Sequence, residues 1–91
     1  MVLSPVNDHE LRRLESLWLG RTEITDAGLR HLKGLPALHY LNLNHTDITD
    51  AGLEHLEALT CLRCLVVGNT HVTDEGVKKL QEALPDCTIS R

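Results

Sequence analysis

Three stretches of this chain repeat with a period of 24 residues, and that period limits the possible folds more than any single residue does. Leu14-Glu15-Ser16-Leu17-Trp18-Leu19 aligns with Leu38-His39-Tyr40-Leu41-Asn42-Leu43 and with Leu62-Arg63-Cys64-Leu65-Val66-Val67. The downstream halves keep the same register: Ile24-Thr25-Asp26-Ala27-Gly28-Leu29, Ile48-Thr49-Asp50-Ala51-Gly52-Leu53 and Val72-Thr73-Asp74-Glu75-Gly76-Val77. Thr22, Thr46 and Thr70 precede them at matching positions. Self-similarity of this length at a fixed period specifies a solenoid, in which each unit buries its apolar face against its neighbours.

Within the middle unit, alternation about Leu41 puts Leu41 and Leu43 on one face of a short strand and Tyr40, Asn42 and Asn44 on the other. Thr49-Asp50 then offers short side-chain oxygens that suit the free N–H groups at a helix start. Leu53, Leu56 and Leu59 follow at three-residue spacing, the apolar stripe of a short helix. The predicted class is therefore α/β. Strands stack into a parallel sheet, and because helices are wider than strands the stack curves with the sheet on its concave side. Gly28, Gly52 and Gly76 fall early in the helices, where propensity disfavours glycine, so close approach to a neighbouring unit is expected there.

The ends depart from the period. Val6-Asn7-Asp8-His9-Glu10-Leu11 imitates Ile24 to Leu29, which predicts a capping half-repeat over 1–13. Repeats are expected over 14–37, 38–61 and 62–85, with a C-terminal cap over 86–91 in which Cys87-Thr88-Ile89 starts a truncated fourth strand. All of this makes one domain.

Composition narrows the function. The core of this 91-residue chain must be built from its eighteen leucines, since it has no Phe and only one Trp and one Tyr. A small core poor in large aromatics leaves a thin stability margin. A formal charge of −4 argues against nucleic acid as partner, which calls for a Lys/Arg-rich face. No run approaches the ~18 apolar residues of a membrane span. Met1-Val2-Leu3-Ser4-Pro5 lacks the basic-then-apolar pattern of a secretory signal, and three cysteines, an odd number, favour a reducing compartment. A cytoplasmic location is expected.

The recurring pattern LxxLxLxxTxITDxGLxxLxxLxx, carried by residues 14 to about 84, resembles leucine-rich repeats. Its "T-D-x-G-L" helix starts are similar to the ribonuclease-inhibitor-like repeats of F-box-type proteins and of many bacterial leucine-rich-repeat proteins. Thr22, Thr46 and Thr70 stand where Asn is commoner in that family, and their hydroxyls are expected to bond turn backbone instead. No F-box segment is present, so a ubiquitin-ligase role does not carry over. The resemblance implies protein recognition on the concave face and no catalysis.

On that face the only two aromatics, Trp18 and Tyr40, fall on adjacent strands as diagonal neighbours. Trp and Tyr dominate binding hot spots, so this pair is the predicted anchor; the competing role for Trp18 is to shield the first strand. Asn42, Asn44 and Val66 share the face, and Arg21 and His45 flank it as a polar rim with Asn69. A second rim column holds Glu15, His39 and Arg63. Cys61-x-x-Cys64 is a lone pair entering a strand, which suits neither a tetrahedral zinc site nor a redox motif at a helix N-terminus. His31 and His55 stack one repeat apart on solvent-facing helix positions and carry no evident chemistry. No nucleophile–base set or phosphate loop appears, so neither catalysis nor a cofactor is expected. The predicted function is a non-enzymatic module binding a protein partner through the concave sheet. The alternative is a structural piece that docks through its solenoid ends in a larger assembly.

Overall fold

The computed structural model describes residues 14–91; the half-repeat predicted over 1–13 lies outside the described residues. Strands β1 (Ser16–Trp18), β2 (Tyr40–Asn42), β3 (Cys64–Val66) and β4 (Thr88–Ser90) form one parallel sheet in sequential order. Ser16 pairs with Tyr40, Tyr40 with Cys64 and Cys64 with Thr88, so the sheet register is the 24-residue period itself. Helices α1 (Asp26–Leu29), α2 (Asp50–Leu56) and α3 (Asp74–Ala83) follow the first three strands and form the second layer.

Between the layers lies a core made almost wholly of leucine. Leu41, Leu43 and Leu65 are fully buried on the inner face of the strands, while Tyr40, Asn42 and Val66 on the outer face remain half-exposed. Leu53, Leu56 and Leu59 meet them from the helix side. Each unit closes with the same turn. The hydroxyls of Thr22, Thr46 and Thr70 donate to the carbonyls of Leu19, Leu43 and Val67 at 2.6, 2.8 and 2.7 Å, and Thr46 is buried with its bond made.

The helices are unequal for local reasons. After only four residues α1 tightens into a 3₁₀ turn at Arg30–Gly34. Gly34, a poor helix former, closes that turn. Pro36 also keeps Leu35 out of helical backbone (φ −115, ψ 71). Residues 78–83 of α3, Lys-Lys-Leu-Gln-Glu-Ala, favour helix, and α3 runs ten residues until Leu84 (φ −125, ψ 72) meets Pro85.

The expected capping role of Thr49-Asp50 divides between two units. Thr49 Oγ1 accepts from Ala51 N–H, and Thr73 Oγ1 from Gly76 N–H, so the threonines cap their own helices. The aspartates turn instead to the following repeat. Asp26 accepts from Thr49 N–H at 2.8 Å and from the Thr49 hydroxyl at 2.5 Å; Asp50 does the same with Thr73 at 2.7 and 2.5 Å. Thr49 and Thr73 therefore each donate to the preceding unit while accepting from their own helix. Asp74 meets Arg91 in an ion pair, and Arg91 also donates to Val72 O at 3.1 Å.

This staple has a pH signature. The Thr73 hydroxyl first, and its N–H second, hold the Asp50 carboxyl below its ordinary value of 3.8, burial opposing slightly. The folded chain thus binds that proton less readily than the unfolded chain. The contribution is present in full above 3.8 and is lost as pH falls through the lowered folded value. Asp50→Asn is expected to lower Tm at pH 7 and to flatten the acid limb of Tm against pH below 3.8, measured by circular dichroism. An unchanged acid limb would remove Asp50 from this account.

Candidate interaction face on the sheet

Strand geometry places Trp18 beside Asn42 and Asn42 beside Val66 on the outer sheet face, with Tyr40 two residues along β2. Trp18 and Tyr40 are consequently diagonal, and their rings meet with centroids 5.2 Å apart at an interplanar angle of 35°. Trp18 remains 70% exposed, the one large hydrophobic side chain left so open among the described residues.

The asparagines are more constrained than their exposure suggests. Asn42 Nδ2 donates to Tyr40 OH at 3.3 Å and steadies the ring, and Asn42 Oδ1 accepts from Asn44 N–H at 3.0 Å. Asn44 Oδ1 accepts from Gly68 N–H at 2.6 Å, one repeat away. A Cβ on Gly68 would stand 2.9 Å from that same oxygen, which accounts for glycine there.

Just past each strand the chain enters left-handed backbone at three equivalent positions, Arg21 (φ 60), His45 (φ 57) and Asn69 (φ 55). The turn lets Arg21 N–H reach Asn44 O and His45 N–H reach Gly68 O, both at 2.9 Å, so the ladder continues beyond the strand ends. Asn and His visit this conformation more readily than most residues, whereas for Arg it costs on the order of 1–2 kcal/mol. The only sequence signal for it is Asn69, which fills this slot in the third unit.

A shallow depression of about 360 Å³ lies here, lined by Trp18, Gly20, Arg21, Asn42, Asn44 and His45. Of the seven residues singled out from sequence, five line it. Tyr40 packs against its Trp18 wall, and Val66 sits half-buried one strand beyond Asn42 without lining it. Gly20 joins the lining, where a Cβ would stand 3.2 Å from Asn42 Oδ1 and 3.3 Å from Asn44 O. The predicted rim columns form contacts of their own: His39 with Glu15 at 3.7 Å, Arg63 with Asp86 at 3.9 Å, and His45 with Asn69 at 3.3 Å. Exposed ion pairs of this kind add little stability.

The helix side differs in charge. A smaller cleft of about 190 Å³ between α2 and α3 is lined by carboxylates, among them Asp50, Glu54, Glu57 and Glu75, with Lys79 paired to Glu54 at 3.5 Å.

Cys61 is exposed, Cys64 half-buried and Cys87 buried, all as free thiols. Burial, helped by nearby Cys64, pushes the Cys87 thiol up to about 11, so it stays protonated at neutral pH and is a packing residue. Among the described residues no three His, Cys, Asp or Glu side chains converge as a metal site. No described helix is long and apolar enough to cross a membrane.

Residues 12–55 match the family described as Leucine Rich repeats (2 copies), and residues 58–80 match Leucine Rich repeat. No curated protein matches the sequence. Among similar solved structures is that of Chaetomium Mex67:Mtr2 subunits, with a TM-score of 0.74 at 17% identity over 91% of this chain. The chain spans 57% of that protein's length, and at such identity the likeness concerns the fold alone.

Proposed function

From the premise that this chain is a leucine-rich-repeat solenoid, we propose that it is a non-enzymatic module that binds a protein partner through its concave sheet, anchored by Trp18 and Tyr40. Solenoids of this kind act by presenting extended concave surfaces, and protein–protein interaction is the general role of leucine-rich repeats. The observation that carries the reading is the Trp18–Tyr40 pair in tilted ring contact, left open on the sheet of a chain otherwise without aromatics. A ring pair steadied by Asn42 and exposed on one side has little conformational freedom to lose on binding.

The same reading takes the repeats as the ribonuclease-inhibitor-like type with "T-D-x-G-L" helix starts, three units between capping segments. It places the chain in the cytoplasm, in keeping with its odd cysteine count, and assigns it neither a nucleic-acid nor a membrane partner.

Pull-down from source lysate tests the proposal. Trp18→Ala/Tyr40→Ala is expected to weaken capture of a specific partner by about 30-fold or more, the scale of a hot-spot pair. Its melt should fall only modestly, because Trp18 is mostly solvent-exposed and Tyr40 lies half-exposed on the outer sheet face, outside the leucine core. Equal capture by both chains would move the binding surface to the helices or the solenoid ends.

A further inference from the structure

The concave depression is a site for hydrogen-bond acceptors, and its own groups define what fits. Its lining contains no Asp or Glu. The side-chain amide oxygens around it are already engaged. Asn42 Oδ1 and Asn44 Oδ1 are held by the N–H groups of Asn44 and Gly68, and those two contacts also settle which end of each amide faces which way. The carbonyls of Asn42, Asn44 and Gly68 receive the N–H groups of Leu19, Arg21 and His45. Two donors have no bond among the described residues, the Arg21 guanidinium and Asn44 Nδ2. His45 adds an imidazole, its Nε2 3.3 Å from Asn69 Nδ2, and which ring nitrogen donates is set by the tautomer. No ion pair among the described residues engages Arg21. Arg21, one repeat from His45, holds left-handed backbone that Asn or Gly would adopt with less strain.

Resting on the proposed concave-face function, we infer that this depression receives an Asp or Glu side chain of an extended partner segment. Its carboxylate lies against Arg21, His45 and Asn44, and an adjacent apolar residue of the same segment packs on Trp18. Arg and carboxylate make the strongest common side-chain hydrogen bonds, and the aromatic wall excludes water from one side. Charge complementarity also sets the choice of face. The chain is acidic overall and its helix-side cleft is lined by carboxylates, which repel such a segment, whereas this depression is the donor-rich concavity.

The test is selection of a displayed random short-peptide library on the full chain, with affinities of the selected peptides measured by fluorescence anisotropy. Peptides whose binding is lost in Trp18→Ala are expected to carry Asp or Glu, and changing that residue to its amide should weaken binding about tenfold. Arg21→Asn, whose new side chain suits left-handed backbone and so preserves the fold, should weaken the acidic peptide about tenfold and leave its amide counterpart unchanged. Affinity for the acidic form should fall as NaCl rises. Trp18-dependent peptides without acidic residues, or indifferent to Arg21→Asn, would overturn the carboxylate inference while the concave-face reading stands. Failure to select any Trp18-dependent peptide would overturn both.

Discussion

Truncating Leu41 to alanine is expected to lower the unfolding free energy by about 3–4 kcal/mol, the usual cost of a buried Leu→Ala change. Leu41 is fully buried at the centre of β2 and pairs with Leu17 on one side and Leu65 on the other. In a solenoid each unit depends only on its neighbours, so a cavity here weakens both interfaces of the middle repeat. The chain has no Phe, and its Trp and Tyr lie on the opposite face of the sheet, so no large ring is at hand to collapse into the gap. Total stability for 91 residues is of the order of 5–14 kcal/mol, so the loss is a large share of it. Urea unfolding at 25 °C should show the midpoint falling while the m-value stays constant. A loss below about 1 kcal/mol would mean that this core relaxes far more readily than close-packed interiors do.

Gly52→Ala tests the opposite intuition. In an isolated helix the change stabilises by about 1 kcal/mol. Here it is expected to destabilise by about 2–4 kcal/mol, because it dislodges two hydrogen bonds to a carboxylate. A Cβ at position 52 would overlap Asp26 Oδ1 and stand 2.9 Å from Leu29 Cδ1. Asp26 cannot yield without releasing both the N–H and the hydroxyl of Thr49, and Leu29 is fully buried. Gly76 faces Asp50 in the same way in the next unit. A double-mutant cycle isolates the cause: with Asp26→Ala already in place, Gly52→Ala should be much less harmful. A Gly52→Ala chain that melts higher than the parent would show that the staple adds nothing.

Much of this was legible beforehand. The Leu41/Leu43 alternation and the Leu53, Leu56, Leu59 spacing are local patterns, and local patterns report which face is buried. Repetition extended the reading, since one period of 24 residues became the register of the whole sheet. Trp18 and Tyr40 could be set on one face and on a diagonal from that register alone. Less legible was the division of labour within Thr49-Asp50, because both residue types serve helix starts equally well and only the position of the next repeat separates them. The short first helix is not legible from the period either, which is the same in all three units, whereas the 3₁₀ turn and its Gly34-Leu35-Pro36 ending belong to the first alone.

The amino-acid sequence by itself determined a parallel leucine-rich solenoid, its buried and open faces, and an aromatic pair on the open one, because each follows from periodicity along the chain. Only the tertiary structure decided how the face is chemically polarised. Asn44 spends its oxygen on Gly68, Asp26 reaches Thr49, and Arg21 turns left-handed so that its N–H meets Asn44. All three bonds join residues 23 or 24 positions apart, across the interface between repeats. Which polar atoms are consumed and which remain for a partner depends on that distance of approach, a property of stacked units that no single unit contains.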